Sequence, residues 1–269
     1  MPPVPPIAII AESEKWFDAS KLPLFVIAIV VLGVVVLLWL MSRRGSSFTP
    51  RQIPGLKAVE DAIGRATEMA RPVLYTPGWG GDIQRPTTIA SMNILSQVAE
   101  KTAQYDCTLI YPTHDPVIQS VAQEVVSESY ARSGFADRYR QEDVRYVSSS
   151  QFGYAAAVEG IITRTQPAAI FLLGTFEAES LILAETGNTV GAIQIAGTDS
   201  TIQLAFFIVA CDYTLIGEEL FVASGYLSGD KAILASVRAQ DMLKIALAAF
   251  LLIAMVWVTF APNSGWWKF

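Results

Sequence analysis

The sequence predicts an α/β fold: about five mostly parallel strands in a Rossmann-like sheet, helices on both faces, and a transmembrane α-helix on either side. Three observations predict it. Between residues 51 and 229, short apolar runs alternate with stretches of helical length, a pattern that builds a parallel sheet through right-handed crossovers. The strand runs, such as AIFLLG, are apolar nearly throughout, which suits strands covered on both faces. Two uncharged apolar runs bracket this region. The chain is 52% hydrophobic and 16% charged, with mean hydropathy +0.40, whereas a soluble domain carries roughly 25% charge.

The elements follow in order. The opening MPPVPPIAII is apolar and proline-rich, which forbids a continuous helix. Residues 1–23 read as an external arm, either ordered against a neighbour or a free tail. Residues 24–41, LFVIAIVVLGVVVLLWLM, carry no charge, and at about 1.5 Å per residue they reach about 27 Å, close to the hydrocarbon thickness of a bilayer. A cleaved signal peptide is the rival reading. Against it stand the missing basic n-region and the acids Glu12, Glu14 and Asp18 ahead of the run. Residues 42–55 form a soft linker with Gly, Ser and Pro.

A leading helix is expected over 56–69, with Leu56, Val59, Ile63, Ala66 and Met69 at helical spacing. Strands are then expected at 73–76, 107–111, 144–147, 169–174 and 190–197, with helices at 85–102, 115–131, 150–163 and 175–186. Asp115-Pro116 supplies a cap and a proline at the first helical position. Gly187-Asn188 marks a helix stop, and Thr175 with Glu177 and Glu179 opens a helix with favourable negative charge. Residues 202–216, IQLAFFIVACDYTLI, are apolar nearly all round and read as a helix needing cover on every side. Residues 218–227 continue in kind. Asp230 then caps a long helix, 230–261, that ends in the second apolar run at 245–261, and 262–269 form an external tail.

Flanking charge sets the topology. Arg43, Arg44, Arg51 and Lys57 follow the first run, and Lys231, Arg238 and Lys244 precede the second. The outer flanks hold only Lys15, Lys21 and Lys268. Basic residues stay inside, so residues 56–229 are expected as a cytoplasmic domain of a two-pass plasma (inner) membrane protein with both termini outside. A net charge of -6 and a pI of about 4.9 argue against nucleic acid as a partner. Two cysteines and one histidine provide neither a disulfide framework nor the usual structural zinc ligands.

Ligands of open parallel sheets bind beyond the carboxyl ends of the strands. The candidates there are Thr76, Gly78, Gly80, Gly81, Asp82 and Arg85 after the first strand, and Thr113, His114 and Asp115 after the second. Thr175 and Glu177 follow the fourth, and Thr198 and Asp199 the fifth. The turn GWGGD either brings N–H groups to a phosphate or is a tight loop needing positive φ. It matches neither GxGxxG nor the P-loop. His114 with Asp115 is either a general base or a loop histidine beside a helix cap. Asp82, Glu177, Glu179 and Asp199 either hold a divalent cation or are charges at helix ends. No GxSxG elbow occurs, and Cys107 and Cys211 read as reduced core residues. No catalytic residue, metal ligand or cofactor is assigned.

The apolar inventory exceeds what one small sheet covers, and uncovered apolar surface marks interaction sites. The expected function is therefore a membrane-anchored α/β scaffold that self-assembles into a homo-oligomer, a ring being one closed arrangement. Its partners are the lipid bilayer and further copies of itself. The alternative is a ligand sensor, or a hydrolase- or transferase-type enzyme, using the strand-end crevice.

The stretches RPVLYTPGWGGDIQRPTTIASMNIL, LIYPTHDPVIQSVAQEVV, LLGTFEAESLILAETGN and GAIQIAGTDSTIQLAFFIVACDYTLIGEELFVASGYLSGD carry a resemblance. Across residues 51–261 the chain resembles an uncharacterised prokaryotic family of membrane proteins known only as a domain of unknown function. The resemblance implies the α/β architecture between two membrane helices. It implies no activity, so no residue acquires a role from it.

Overall fold

The structure is a computed structural model that describes residues 54–228 and 231–260, with scattered helical positions between 25 and 40. Helix α1 (Pro54–Glu68) leads into β1 (Val73–Thr76), α2 (Pro86–Gln104), β2 (Leu109–Thr113) and α3 (Pro116–Arg132). Two 3-10 turns, Ala136–Arg138 and Gln141–Asp143, precede β3 (Val144–Tyr146). Then follow α4 (Gln151–Thr165), β4 (Ala169–Leu173), α5 (Glu179–Thr189), β5 (Ile193–Thr198), α6 (Thr201–Ala210), β6 (Tyr213–Ile216), α7 (Glu219–Ser228) and α8 (Lys231–Phe260).

The six strands lie in the order β3-β2-β1-β4-β5-β6, and every pairing is parallel. The chain starts in the middle, builds outward to β3, then crosses back to β4 beside β1. Strand order reverses there, so the β1–β4 boundary is the topological switch point. Strands β1, β2 and β4 are buried at every residue, which explains their continuous apolar character. Alternation of side chains splits the core in two. Val73, Tyr75, Leu109, Tyr111, Phe171 and Leu173 join residues of α1, α2, α3 and α7 on one face. Leu74, Ile110, Ile170 and Leu172 join α4, α5 and Phe207 of α6 on the other. On the first face Tyr75 stacks between Tyr111 and Phe171, each centroid 5.8 Å away.

The structure contains a six-stranded sheet where five strands were expected, and the extra strand comes from 202–216. That segment is not one helix. Helix α6 stops at Ala210, Cys211 is extended, and Tyr213–Ile216 pairs with β5. Asp212 explains the break: its carboxylate accepts the Gln194 N–H at 2.8 Å, tying the turn to β5. Helix α5 begins at Glu179 rather than Thr175, so Thr175 and Glu177 lie in the preceding loop. The stop expected at Gly187-Asn188 comes later, where Gly191 takes φ +70. Strand β2 begins at Leu109, which leaves Cys107 buried just ahead of it.

The chain divides into two compact units, Ser46–Val237, which holds the sheet, and Met1–Gly45 with Arg238–Phe269. Among the described residues no helix is long and apolar enough to cross a membrane. The flanking transmembrane helices expected from the sequence are thus not found there. The expected arm 1–23, most of the run 24–41, most of the linker 42–55, and the tail 262–269 lie outside the described residues, as does part of the run 245–261.

Candidate functional site

The loops at the switch point are built from the backbone outward. After β1 the chain passes through Pro77–Asp82, and after β4 through Gly174–Ala178. These two loops bond to each other: Thr175 N–H donates to Pro77 O at 3.0 Å, and Gly80 N–H donates to Thr175 O at 3.0 Å. Gly78, with φ +80, and Gly174, with φ +152, sit where a Cβ would overlap the Thr175 and Pro77 carbonyls respectively. Gly80 and Gly81 have ordinary φ values. They are small because Thr175, Glu177 and Thr88 press against them. The GWGGD turn therefore uses one positive φ and otherwise close approach.

Glu179 ties the β1 and β4 loops together. Its side chain is fully buried. Oε1 accepts the Trp79 N–H at 2.9 Å and the Glu177 N–H at 3.1 Å, and Oε2 accepts Gln151 Nε2–H at 3.0 Å. A buried carboxylate survives when its lone pairs are satisfied. Here an acid of the chain itself sits beside the N-terminus of α5, where open α/β sheets offer room for an anion. Thr87 and Thr175 hydroxyls share a 2.7 Å bond across the same seam, and Trp79 Nε1–H donates to Ser149 O at 2.9 Å.

His114 packs on this plug. Its Nδ1 lies 3.2 Å from Gly78 O, and its ring meets Tyr154 edge-on at 5.9 Å and Trp79 at 6.0 Å. The Tyr154 hydroxyl bonds the Thr76 hydroxyl. Desolvation lowers the His114 pKa below 6.5, opposed by the charges of Asp115 and Glu179 and by backbone bonds to Gly78 and Gly81. Asp115 is separately employed. Its Oδ1 accepts Val117 N–H at 2.6 Å and Ile118 N–H at 3.3 Å, capping α3. Asp82 likewise accepts Gln84 and Arg85 N–H at 3.0 Å each.

The expected candidates thus separate. Thr76, Gly78, Gly80, Gly81, His114, Thr175 and Glu177 come together. Asp82 and Arg85 lie at the rim, Thr113 is the buried last residue of β2, and Asp115 caps α3. Thr198 turns its hydroxyl to Ser200 N, with Asp199 exposed beyond it. Among the described residues no group of acids, cysteines or histidine could hold a metal ion, so Asp82, Glu177, Glu179 and Asp199 do not form a cation site there.

The profile of a domain of unknown function (DUF6754) matches residues 12–266. The chain belongs to this family. No curated protein and no solved structure matches it. The DUF6754 description carries no activity, so the site speaks only through its geometry.

Three residues central to this DUF6754 chain's plug were not among the expected site residues, Trp79, Gln151 and Tyr154, and Glu179 was expected only as a cation ligand or a helix-end charge. Glu179 was legible as a first-turn acid, but a single sequence does not show which N–H groups from another loop reach it. A hollow opens at the opposite end of the sheet, lined by Thr102, Cys107, Tyr130, Arg138, Arg140 and Asp143 among others. Its cations are already engaged, Arg138 with Asp106 at 3.5 Å and Arg140 with Asp143 at 3.0 Å. Burial pushes the Cys107 thiol up to about 11, so it stays protonated and is no nucleophile at neutral pH.

Proposed function

We propose that this DUF6754 chain is a membrane-anchored α/β scaffold that self-assembles into a homo-oligomer, with the strand-end crevice serving the fold rather than catalysis. One observation carries the reading: at the switch point the β1 and β4 loops are tied to each other by the chain's own Glu179 carboxylate and by backbone bonds. A ligand would have to displace three satisfied donors and two loop–loop bonds.

Membrane attachment draws its support from the apolar runs 24–41 and 245–261 and their basic flanks. Helix α8 also leaves Ile245, Phe250 and Leu252 largely exposed, an exposure suited to lipid. Self-assembly draws its support from exposed apolar residues on α6 and β6. Cross-linking of the full chain in mild detergent, followed by size analysis, tests the reading. Discrete multimers are expected; a dispersed monomer overturns it.

The ligand-sensor reading has one observation in its favour. The Thr88 hydroxyl is buried beneath Gly81 without a hydrogen-bond partner, next to the N-terminus of α2. The two readings differ in what Asp82→Asn, His114→Gln, Glu177→Gln and Asp199→Asn do. A scaffold keeps its assembly and changes only in stability, whereas a sensor loses ligand-induced thermal stabilisation at unchanged basal Tm.

A further inference from the structure

Helix α6 presents its apolar side to the outside. Phe207 is its one fully buried side chain, held edge-on by Phe176 at 5.1 Å, and Gln203 accepts the Ser180 hydroxyl at 2.5 Å. Ile202 is 70% exposed, Phe206 40% and Val209 88%, with Ala205 between them also exposed. Positions 202, 205, 206 and 209 follow the i, i+3, i+4, i+7 spacing of one helix face. A surface helix normally turns such a stripe inward; here it faces out.

We infer that α6 is the contact helix of a two-fold pair, packing antiparallel against α6 of a second copy. The inference rests on the self-assembly reading above and names its surface. Three features select a second copy as the occupant. The stripe is self-complementary in the antiparallel sense. A two-fold axis between 205 and 206 sets Ile202 opposite Val209 and seats Phe206 against the small Ala205, a knob meeting its own hole. Residues 201–211, TIQLAFFIVAC, contain no charge, so the helix meets itself without like-charge repulsion, which a heteromeric partner need not have avoided. The stripe with neighbouring Ile208 exposes on the order of 500 Å² of apolar area, at the upper range for a monomer's largest patch. Two copies then cover about 1,000 Å², the minimum for a specific interface.

The test uses full-length chains in mild detergent with Cys211→Ser as background, Cys107 remaining buried. Ile202→Cys and Val209→Cys are made separately, then mixed by subunit exchange. The antiparallel pair forms a 202–209 disulfide-linked dimer in the mixture and little in either variant alone. Val209→Glu, at an exposed position that leaves the core untouched, shifts the mass by light scattering to half or less. An oligomer that survives Val209→Glu, with no 202–209 link, overturns the α6 pairing while leaving self-assembly standing. A monomeric parent chain overturns both. If a fluorophore attached to the thiol of the Val209→Cys variant of that monomer is quenched by brominated lipid, α6 lies against the bilayer; shielding from both iodide and brominated lipid places another segment of the chain over it.

Discussion

Glu179 decides how the crevice behaves at the scale of one residue. Truncating it strands two backbone N–H groups and one amide in a buried seam, and hydrogen bonds to a charged group are worth about 1.5–3 kcal/mol each while water refills part of the loss. Glu179→Ala is expected to cost about 3 kcal/mol, a drop of about 6–12 °C in Tm by thermal unfolding of the full chain. Glu179→Gln retains an acceptor for Trp79 and Glu177 and is expected to lose less. His114 supplies the second test. Burial holds its folded-state pKa below the unfolded 6.5, so between those values the unfolded chain binds more protons. Its contribution is complete above pH 6.5 and falls as pH drops through 6.5 toward the folded pKa. Unfolding midpoints measured from pH 7.5 to 5 are expected to decline, and His114→Gln flattens that part of the decline. A parallel decline in both proteins removes His114 as its source.

The two interlocked loops act as one element, and their glycines separate strain from contact. Gly134 has φ +83 with nothing near the site of a Cβ, whereas Gly78 has φ +80 with the Thr175 carbonyl in the way. Gly134→Ala is expected to cost about 1 kcal/mol, the ordinary left-handed penalty. Gly78→Ala is expected to cost about 2 kcal/mol more, because backbone atoms cannot yield as a side chain would; chemical denaturation compares the two directly. At this scale the sequence was readable where one physical signal dominated. The buried strands β1 and β4 announced themselves as apolar runs, and the Asp115-Pro116 cap was unambiguous. Strand β6 was hidden because four residues of YTLI beside a ten-residue apolar helix offer no period of their own, and the Asp212–Gln194 bond that ends α6 spans 18 positions. The plug was only half visible for the same reason. Its residues came from strand ends that topology predicts, but Glu179 and Tyr154 enter from helices whose facing partners no local pattern reveals.

Considered as a whole molecule, the sheet treats its two edges differently. Strand β3 is short, carries Arg145, and has its Val144 carbonyl taken by Gln119 and Gln123 amides at 3.2 and 3.1 Å, which discourages pairing with another chain. Strand β6 carries no charge, leaves Tyr213 and Ile216 exposed, and adjoins the uncovered α6. Water-facing protection is thus concentrated on one flank and apolar surface on the other, as a protein that associates through one side requires. The proposed orientation in a bilayer rests on a separate feature, the basic residues that follow the run 24–41 and precede the run 245–261. If these hold residues 56–229 on the cytoplasmic side, Gln84→Cys at an exposed loop position, in a chain with Cys107→Ala and Cys211→Ser, is expected to resist an impermeant maleimide in intact cells and to react once they are permeabilised. Ala8→Cys and Ser264→Cys are expected to react in intact cells. Labelling at 84 before permeabilisation reverses the topology, because two runs joined through one folded domain must place that domain on a single side.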